Sequence, residues 1–321
     1  MTVTTDPAVV VLTEPADPTA DLVITELNDR RVPVVRLDPG TDAVTFSAFV
    51  PTGQSWRGSL TTDGGRAFDL GEVRSVYYRR PSPYGAPDQL EPQQRAFVTA
   101  HARHGLGGVL GALDCLYVNH PHRNLAAGYK PRQIAEAARA GLSVPPTLIT
   151  NDPAEARAFA EEFGPVVYKP LRSTAYVEDG EHRTIWVRQV DPAEIGDGVA
   201  ACPHLFQRAV DKVADIRVAA VGGRLFASRI TVDGDHLDWR WDYDRIEFDP
   251  IDVPADVRAG IQRLMHRLGL VFGAFDFGLG HDGRWWMYEI NPNGQWAFVD
   301  PPTRTAIAVA LADALEKGLP A

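Results

Sequence analysis

Gly273-Ala274-Phe275-Asp276-Phe277-Gly278-Leu279 runs through Gly280-His281-Asp282-Gly283 into Arg284-Trp285-Trp286-Met287-Tyr288-Glu289-Ile290-Asn291. Aromatic-rich runs flanking Asp282-Gly283 read as a β-hairpin, because that dipeptide tolerates the positive φ of a tight turn. Counting outward from a two-residue turn sets His281 against Arg284, Leu279 against Trp286, and Asp276 against Glu289. Asn291 lies two residues further on and shares the Glu289 face. Opposed Cβ atoms in a sheet lie about 5 Å apart. Two carboxylates at that distance repel by roughly 3 kcal/mol at an effective dielectric of about 20. A stable sheet keeps such a pair when one carboxyl is protonated or a cation sits between them. Three oxygen donors with no His or Cys among them suit Mg²⁺ held jointly with phosphate. The competing reading is a solvated hairpin with edge charges, which leaves the interruption of so apolar a run unexplained.

At 321 residues the chain is long for one core, which predicts two or three domains. Its 45% hydrophobic and 23% charged residues place it among ordinary soluble globular proteins. A formal net charge of -10 argues against a general nucleic-acid or membrane binder, so any anionic ligand must be held by local basic groups. Cys115 and Cys202 are far apart and form no metal spacing, which fits a reduced, cytoplasmic setting. The N-terminus carries Asp6, Glu14 and Asp17 without a basic segment, unlike a secretory signal, and no apolar run reaches transmembrane length.

The pattern along the chain is α/β. Val9-Val10-Val11-Leu12 reads as a buried strand, 18–27 as an amphipathic helix and 32–37 as a second strand, a βαβ opening with a parallel sheet. Its first turn, Thr13-Glu14-Pro15-Ala16-Asp17, lacks the Gly-rich phosphate fingerprint. Strands follow near 44–50, 54–60 and 73–79, a long helix spans 91–113, and 116–118 is a strand entering Asn119-His120-Pro121. The next region predicts helices over 125–140 and 152–163, a short extended run at 145–150 between them, and a strand at 166–169 stopped by Pro170. Residues 172–184 are polar and read as a mobile loop. Residues 204–210 form a strand, 216–221 and 224–230 a hairpin over Gly222-Gly223, 254–268 a helix and 303–317 a closing helix. The expected division is 1–118, 119–206 and 207–321.

Lys169 ends an apolar strand before a polar loop, where it can meet a phosphate as a point charge. Lys130 sits near a helix start, where exposed N–H groups already favour an anion. Either lysine alone reads more readily as a solvated surface charge. Their order adds weight: a helix-start lysine, a strand-end lysine about forty residues on, a polar flap, a strand with a Gln, Asp-x-Arg, then Asp…Glu-x-Asn.

That order, carried by Lys130, Val167-Tyr168-Lys169-Pro170-Leu171, Gln207-Arg208-Ala209-Val210, Asp215-Ile216-Arg217, Asp276 and Glu289-Ile290-Asn291, resembles the ATP-grasp superfamily. Val76-Tyr77-Tyr78-Arg79-Arg80-Pro81, Asn119-His120-Pro121, Lys130-Pro131-Arg132-Gln133, Gly141-Leu142-Ser143-Val144-Pro145-Pro146-Thr147 and Asn291-Pro292-Asn293-Gly294-Gln295-Trp296 look most like the ATP-grasp maturases of microviridin-type ribosomal peptides (graspetides). The resemblance spans nearly the whole chain. It implies an ATP-grasp fold, α/β (α+β), with an N-terminal pre-ATP-grasp βαβ domain and two α+β subdomains clamping ATP. It also implies Lys130 and Lys169 on the α- and β-phosphates, Gln207 with the backbone near Ala209 and Val210 on the adenine, and Asp276, Glu289 and Asn291 on two Mg²⁺. The implied substrate is a ribosomal precursor peptide with a leader and a core of Thr, Ser or Lys plus Asp or Glu. Its carboxylates would be activated as acyl-phosphates and closed into ω-ester or ω-amide rings. A homodimer is compatible with this reading, and neither nucleic acid nor membrane is implied. The flap departs from many relatives in having one glycine between 172 and 184.

Arg217 is the first choice to stabilise the acyl centre and Arg229, on the facing strand, the second. Asp215 and Arg217 share a strand face, which also reads as a surface ion pair. Arg79, Arg80, Asp215 and Arg217 are candidates to hold an acidic peptide. Trp239-Arg240-Trp241-Asp242-Tyr243 reads as peptide contact or strand-edge packing. His101, His104, His120 and His122 lack zinc spacing. The alternatives are a glutathione-synthetase-like or RimK-type ligase acting on a free small molecule or protein terminus, and an ATP-binding module without turnover.

Overall fold

The apolar run at the start of the chain forms a strand buried along its whole length, as expected for the centre of a parallel sheet covered on both faces. A computed structural model of the protein describes residues 7–172, 176–183, 185, 187–232 and 246–318; the Trp239–Tyr243 stretch lies outside them. The first elements are β1 (Ala8–Thr13), α1 (Pro18–Asp29), β2 (Val34–Leu37), β3 (Val44–Phe49), β4 (Arg57–Thr62), β5 (Ala67–Asp69), β6 (Val73–Arg80), α2 (Pro92–Leu110) and β7 (Leu116–Val118). The sheet order is β2-β1-β6-β7, all parallel, beside a three-stranded antiparallel sheet β3-β4-β5. The βαβ opening is therefore as expected. Asp17 caps α1, accepting from the N–H groups of Thr19 and Ala20 at 3.1 and 3.2 Å.

Next come α3 (Pro121–Ala127), α4 (Lys130–Arg139), β8 (Thr147–Thr150), α5 (Pro153–Phe163), β9 (Val166–Lys169), β10 (Tyr176–Glu178), β11 (Glu181–Arg183), β12 (Arg188–Val190) and β13 (His204–Arg208). Strands β12-β9-β13-β8 form an antiparallel sheet, and Ala156 and Ala160 of α5 pack on its Val166, Val190 and Phe206. The single helix expected over 125–140 is two. Pro131 in the middle of one helix would clash with the preceding turn, whereas at the second position of a new helix it costs nothing. The break at Gly128 and Tyr129 makes Lys130 the first residue of α4. The polar stretch expected to be a loop contains the antiparallel pair β10–β11.

The last part holds β14 (Lys212–Val221), β15 (Arg224–Val232), β16 (Ile246–Pro250), α6 (Ala255–Leu268), β17 (Phe272–Gly280), β18 (Trp285–Asn291) and α7 (Pro301–Lys317). Its antiparallel sheet has the order β16-β15-β14-β17-β18. On one face, Ile216, Val218, Phe275, Phe277, Met287 and Ile290 pack with α6. On the other, Ala219, Val221, Phe272 and Ala274 share a core with α7, α1 and the first parallel sheet. The first and last sheets are thus joined through α7, and no helix among the described residues is long and apolar enough to cross a membrane.

The register of the deciding hairpin departs from the count in an instructive way. The turn is one residue longer than Asp282-Gly283 alone: the Gly280 N–H donates to Arg284 O, the Gly283 N–H to Gly280 O, and Gly283 has φ 78°. This gives Leu279 opposite Trp285, Gly278 opposite Trp286 and Phe277 opposite Met287. A bulge between Asp276 and Phe277 then restores the expected pairing of Asp276 with Glu289. The extra residue of the bulge is Tyr288.

Candidate functional site

Asp276 and Glu289 are cross-strand partners, as expected, and Asn291 joins them. Its amide Nδ2 lies 3.1 Å from Glu289 Oε1 and 3.4 Å from Asp276 Oδ2. The bulge turns Tyr288 to the same side, so three of the last four residues of β18 face the site while Met287 and Ile290 enter the core. Periodicity gave no sign of this, because strict alternation puts Tyr288 on the far face. The fit on the β17 side is close. A Cβ on Gly278 would sit 2.1 Å from the Tyr288 hydroxyl oxygen, so only glycine admits the ring there.

The hydrogen-bonding edge of β18 facing away from β17 is held by side chain and loop rather than by another strand. Gln133 of α4 is buried; its Nε2 donates to Ile290 O at 2.8 Å and its Oε1 accepts from Ile290 N at 3.1 Å. The Met287 N–H donates to Ser143 O at 2.8 Å. Gln133 therefore grips the strand at the residue between Glu289 and Asn291, fixing both donors in orientation.

Cations converge on these carboxylates. Lys130, at the N-terminus of α4, reaches Glu289 at 3.1 Å. Arg217 of β14 pairs with Asp276 across the strand register and bonds its Oδ1 at 2.7 Å. Lys212 bonds Asp215 Oδ2 at 2.5 Å. Lys169 donates to Gln207 Oε1 at 2.7 Å and lies 4.4 Å from the centre of the Tyr288 ring. Burial pushes the Lys169 ammonium down to about 8, partly offset by Glu289, while Lys130 and Lys212 add repulsion. Burial, reinforced by Asp215, pushes the Tyr288 hydroxyl up. Four cations, Lys130, Lys169, Lys212 and Arg217, thus face three carboxylates, Asp215, Asp276 and Glu289. The chain as a whole is acidic, yet this cluster is locally basic and suited to phosphate.

Other expected residues fall differently. Gln207 is buried and its amide is committed, Oε1 to Lys169 and Nε2 to Thr147 Oγ1 at 2.9 Å. Its amide oxygen thereby holds Lys169. The Ala209 N–H donates to Pro165 O at 2.7 Å, and Val210 lies in the connection from β13 to β14. Arg229 pairs with Ile216, whose side chain lies in the α6-facing core, so it falls on the opposite face from Arg217. Asp215 does share the Arg217 face, and Arg217 is opposite Ser228. Arg80 is exposed. Arg79 is not on the surface as a docking role requires: it is 1% exposed. It alternates with Arg80 on β6, and its partners, described below, are internal.

Among the described residues no three His, Cys, Asp or Glu side chains converge as a metal site. The donor set is two carboxylates and an amide. That suits a hard cation completed by phosphate oxygens, not a metal in an all-protein cage. If Lys169 meets a phosphate, nucleotide binding should raise its pKa and take up a proton. Affinity in Mg²⁺-free buffer should then be level below pH 8 and fall as pH rises through about 8. Calorimetry of ADP in two buffers of different ionisation enthalpy should show proton uptake near pH 8 that Lys169→Met removes. Equal uptake by both proteins would dissociate Lys169 from the phosphate.

No protein-family model matches the sequence, and no curated relative does. Solved structures do match over nearly the whole chain. A RiPP-associated ATP-grasp ligase from Chryseobacterium gregarium, in complex with ADP and a leader and core peptide, superposes with TM-score 0.89 at 23% identity, covering 98% of this chain and 99% of that one. The macrocyclase MdnC from Microcystis aeruginosa, bound with precursor peptide MdnA, gives 0.82 at 28% identity over 96% and 99%. MdnB from the same organism gives 0.77 at 25% identity over 96% and 99%.

Proposed function

We propose, from the premise that this chain has the ATP-grasp fold in the form of the ribosomal-peptide ligases, that it is an ATP-dependent peptide macrocyclase. It activates Asp or Glu side chains of a precursor peptide and joins them to hydroxyl or amine side chains of the same core. The observation that carries this reading is the convergence of Lys130 and Lys169 with Asp276, Glu289 and Asn291 in one locally basic cluster. Peptide partners are named for the structural neighbours, and they support a peptide over a free small molecule here.

The chemistry follows from these groups. A carboxylate is a poor electrophile, so the peptide carboxylate oxygen attacks the γ-phosphorus of ATP and ADP leaves. The resulting acyl-phosphate is attacked by a side-chain hydroxyl or amine, which loses its proton, and phosphate departs. Lys130 and Lys169 hold the phosphates. Gln207 and Tyr288 keep Lys169 in place. Asp276, Glu289 and Asn291 would hold Mg²⁺, as two ions, and the metal would neutralise charge on the transferring phosphoryl group. Arg217 holds Asp276 in position through the bond to its Oδ1. Arg80 and Asp215 are the proposed peptide contacts, on the exposed end of β6 and beside Tyr288. We assign 1–118 to an N-terminal unit and 119–206 and 207–321 to the two parts enclosing ATP.

The test is incubation with ATP, Mg²⁺ and a leader-bearing peptide rich in Thr, Asp and Glu. Each link should remove one water from the peptide mass and release one ADP. ATP turnover coupled instead to a free amino acid would favour the small-molecule ligase reading, and nucleotide binding with no turnover on any acceptor would favour a binding module.

A further inference from the structure

We propose that Arg79 is a positioning residue for the metal carboxylates, acting through the loop that follows β18; this rests on the reading of Asp276, Glu289 and Asn291 as metal donors. Arg79 comes from the first parallel sheet, a different sheet from every metal donor, and is almost wholly buried. Its NH1 donates to Asn293 O and its NH2 donates to Gln295 Oε1 at 2.6 Å. The same Gln295 oxygen accepts from Thr19 Oγ1 at 2.7 Å. Behind the guanidinium stands Asp17, 3.7 Å from its Nε, and Thr13 Oγ1 donates to Asp17 at 2.8 Å.

The other end of the loop is tied to the metal site. Gln295 O accepts from Arg217 NH2 at 2.6 Å, and the NH1 of that same guanidinium holds Asp276. Gly294 makes the close passage possible: a Cβ there would lie 2.8 Å from Arg217 NH2 and 2.9 Å from Asn291 Cβ. The continuous path is Asp17, Arg79, Gln295, Arg217, Asp276, with Asn291 at the root of the loop. A planar guanidinium presents a rigid fork to two acceptors, whereas an ammonium offers its donors from a single point without that fixed geometry. Two charged groups this deep are costly to bury, and Asp17, 3.7 Å from Nε, supplies charge without a hydrogen bond; the two terminal nitrogens of the guanidinium bond the loop instead. Partners that orient metal-binding carboxylates typically change metal affinity 10- to 100-fold when removed.

The experiment measures three quantities for wild type, Arg79→Lys, Arg79→Gln and Gln295→Ala: the thermal midpoint, ADP affinity in EDTA, and the Mg²⁺ concentration that half-saturates the rise in ADP affinity. Gln295→Ala removes the side-chain acceptor and leaves the Arg79–Asp17 pair and all metal donors in place. We expect Gln295→Ala and Arg79→Gln to weaken the Mg²⁺ response by about tenfold or more with ADP affinity in EDTA within about twofold of wild type, and Arg79→Lys to recover part of the loss. If the midpoints fall but the Mg²⁺ response is unchanged, Arg79 is only a tie between sheets and the proposal is overturned. If the Arg79 variants do not fold, Gln295→Ala decides. A wild type whose ADP binding ignores Mg²⁺ overturns the metal reading and this inference together. A wild type that responds, with variants that respond equally, overturns this inference alone.

Discussion

Glu289→Gln should abolish Mg²⁺-dependent ATP turnover, lowering the rate by at least about 10³-fold, or ~4 kcal/mol of transition-state stabilisation. Gln keeps the volume and one oxygen donor, so the fold should survive. What is lost is the charge that faces Asp276 across the register and that Lys130 meets at 3.1 Å. With that charge gone, Lys130 loses its ion-pair partner at 3.1 Å, and the cation loses one of two anionic donors. The thermal midpoint of the ligand-free protein should fall only slightly, because relief of the like-charge opposition with Asp276 offsets loss of the Lys130 pair. Turnover at the wild-type rate would remove Glu289 from the metal site. A collapsed midpoint would instead assign it a structural role.

The second large effect is expected at Arg217. It is 5% exposed and Asp276 is 7% exposed. Breaking a buried pair by removing one partner costs about 3–5 kcal/mol, because the remaining charge is stranded. Arg217→Ala should therefore destabilise the protein strongly. The expected signature is that Mg²⁺ with ADP restores more of the lost midpoint in the variant than in wild type, since a cation then takes over the neutralisation of Asp276. From sequence, Arg217 reads as a residue of the acyl centre. The geometry ties it to the metal side, so the metal response should change as well. Thermal unfolding with ADP alone and with Mg²⁺ and ADP separates the two. An equal increment in both proteins would show that Asp276 is not where the cation binds.

The strands and helices were largely legible because their apolar periods are long and their caps are plain. The helices expected over 152–163 and 254–268 fall within one residue of α5 and α6. The pairing of Asp276 with Glu289 came from two compensating irregularities, a longer turn and a bulge, neither of which leaves a periodic trace. Tyr288, Gln133 and Thr147 carry no sign of their roles because each looks like an ordinary packing or helix-surface residue until the fold brings it to Lys169, Ile290 or Gln207 respectively. Pro131 did carry a usable signal, since proline inside a helix of 125–140 argues for a break before it. Arg79 and Arg80 are indistinguishable by composition. Only strand alternation, with a buried face on one side, sends the first inward and leaves the second exposed.

The bulge at Tyr288 has an evolutionary corollary. Changing the number of residues in a hairpin loop normally flips every side chain beyond it to the other face of the sheet. Here the odd residue of the turn is cancelled before the chain reaches Glu289, so the loop around His281 and the position of the carboxylates are decoupled. Insertions or deletions at that loop can be absorbed upstream of Tyr288 without disturbing the chemistry. The segment from Glu289 to Asn291 has no such slack: losing one residue there would drive Glu289 or Asn291, the proposed metal donors, into the packed face occupied by Ile290. Variation in length among such proteins should therefore accumulate on the turn side of the bulge and be absent beyond it.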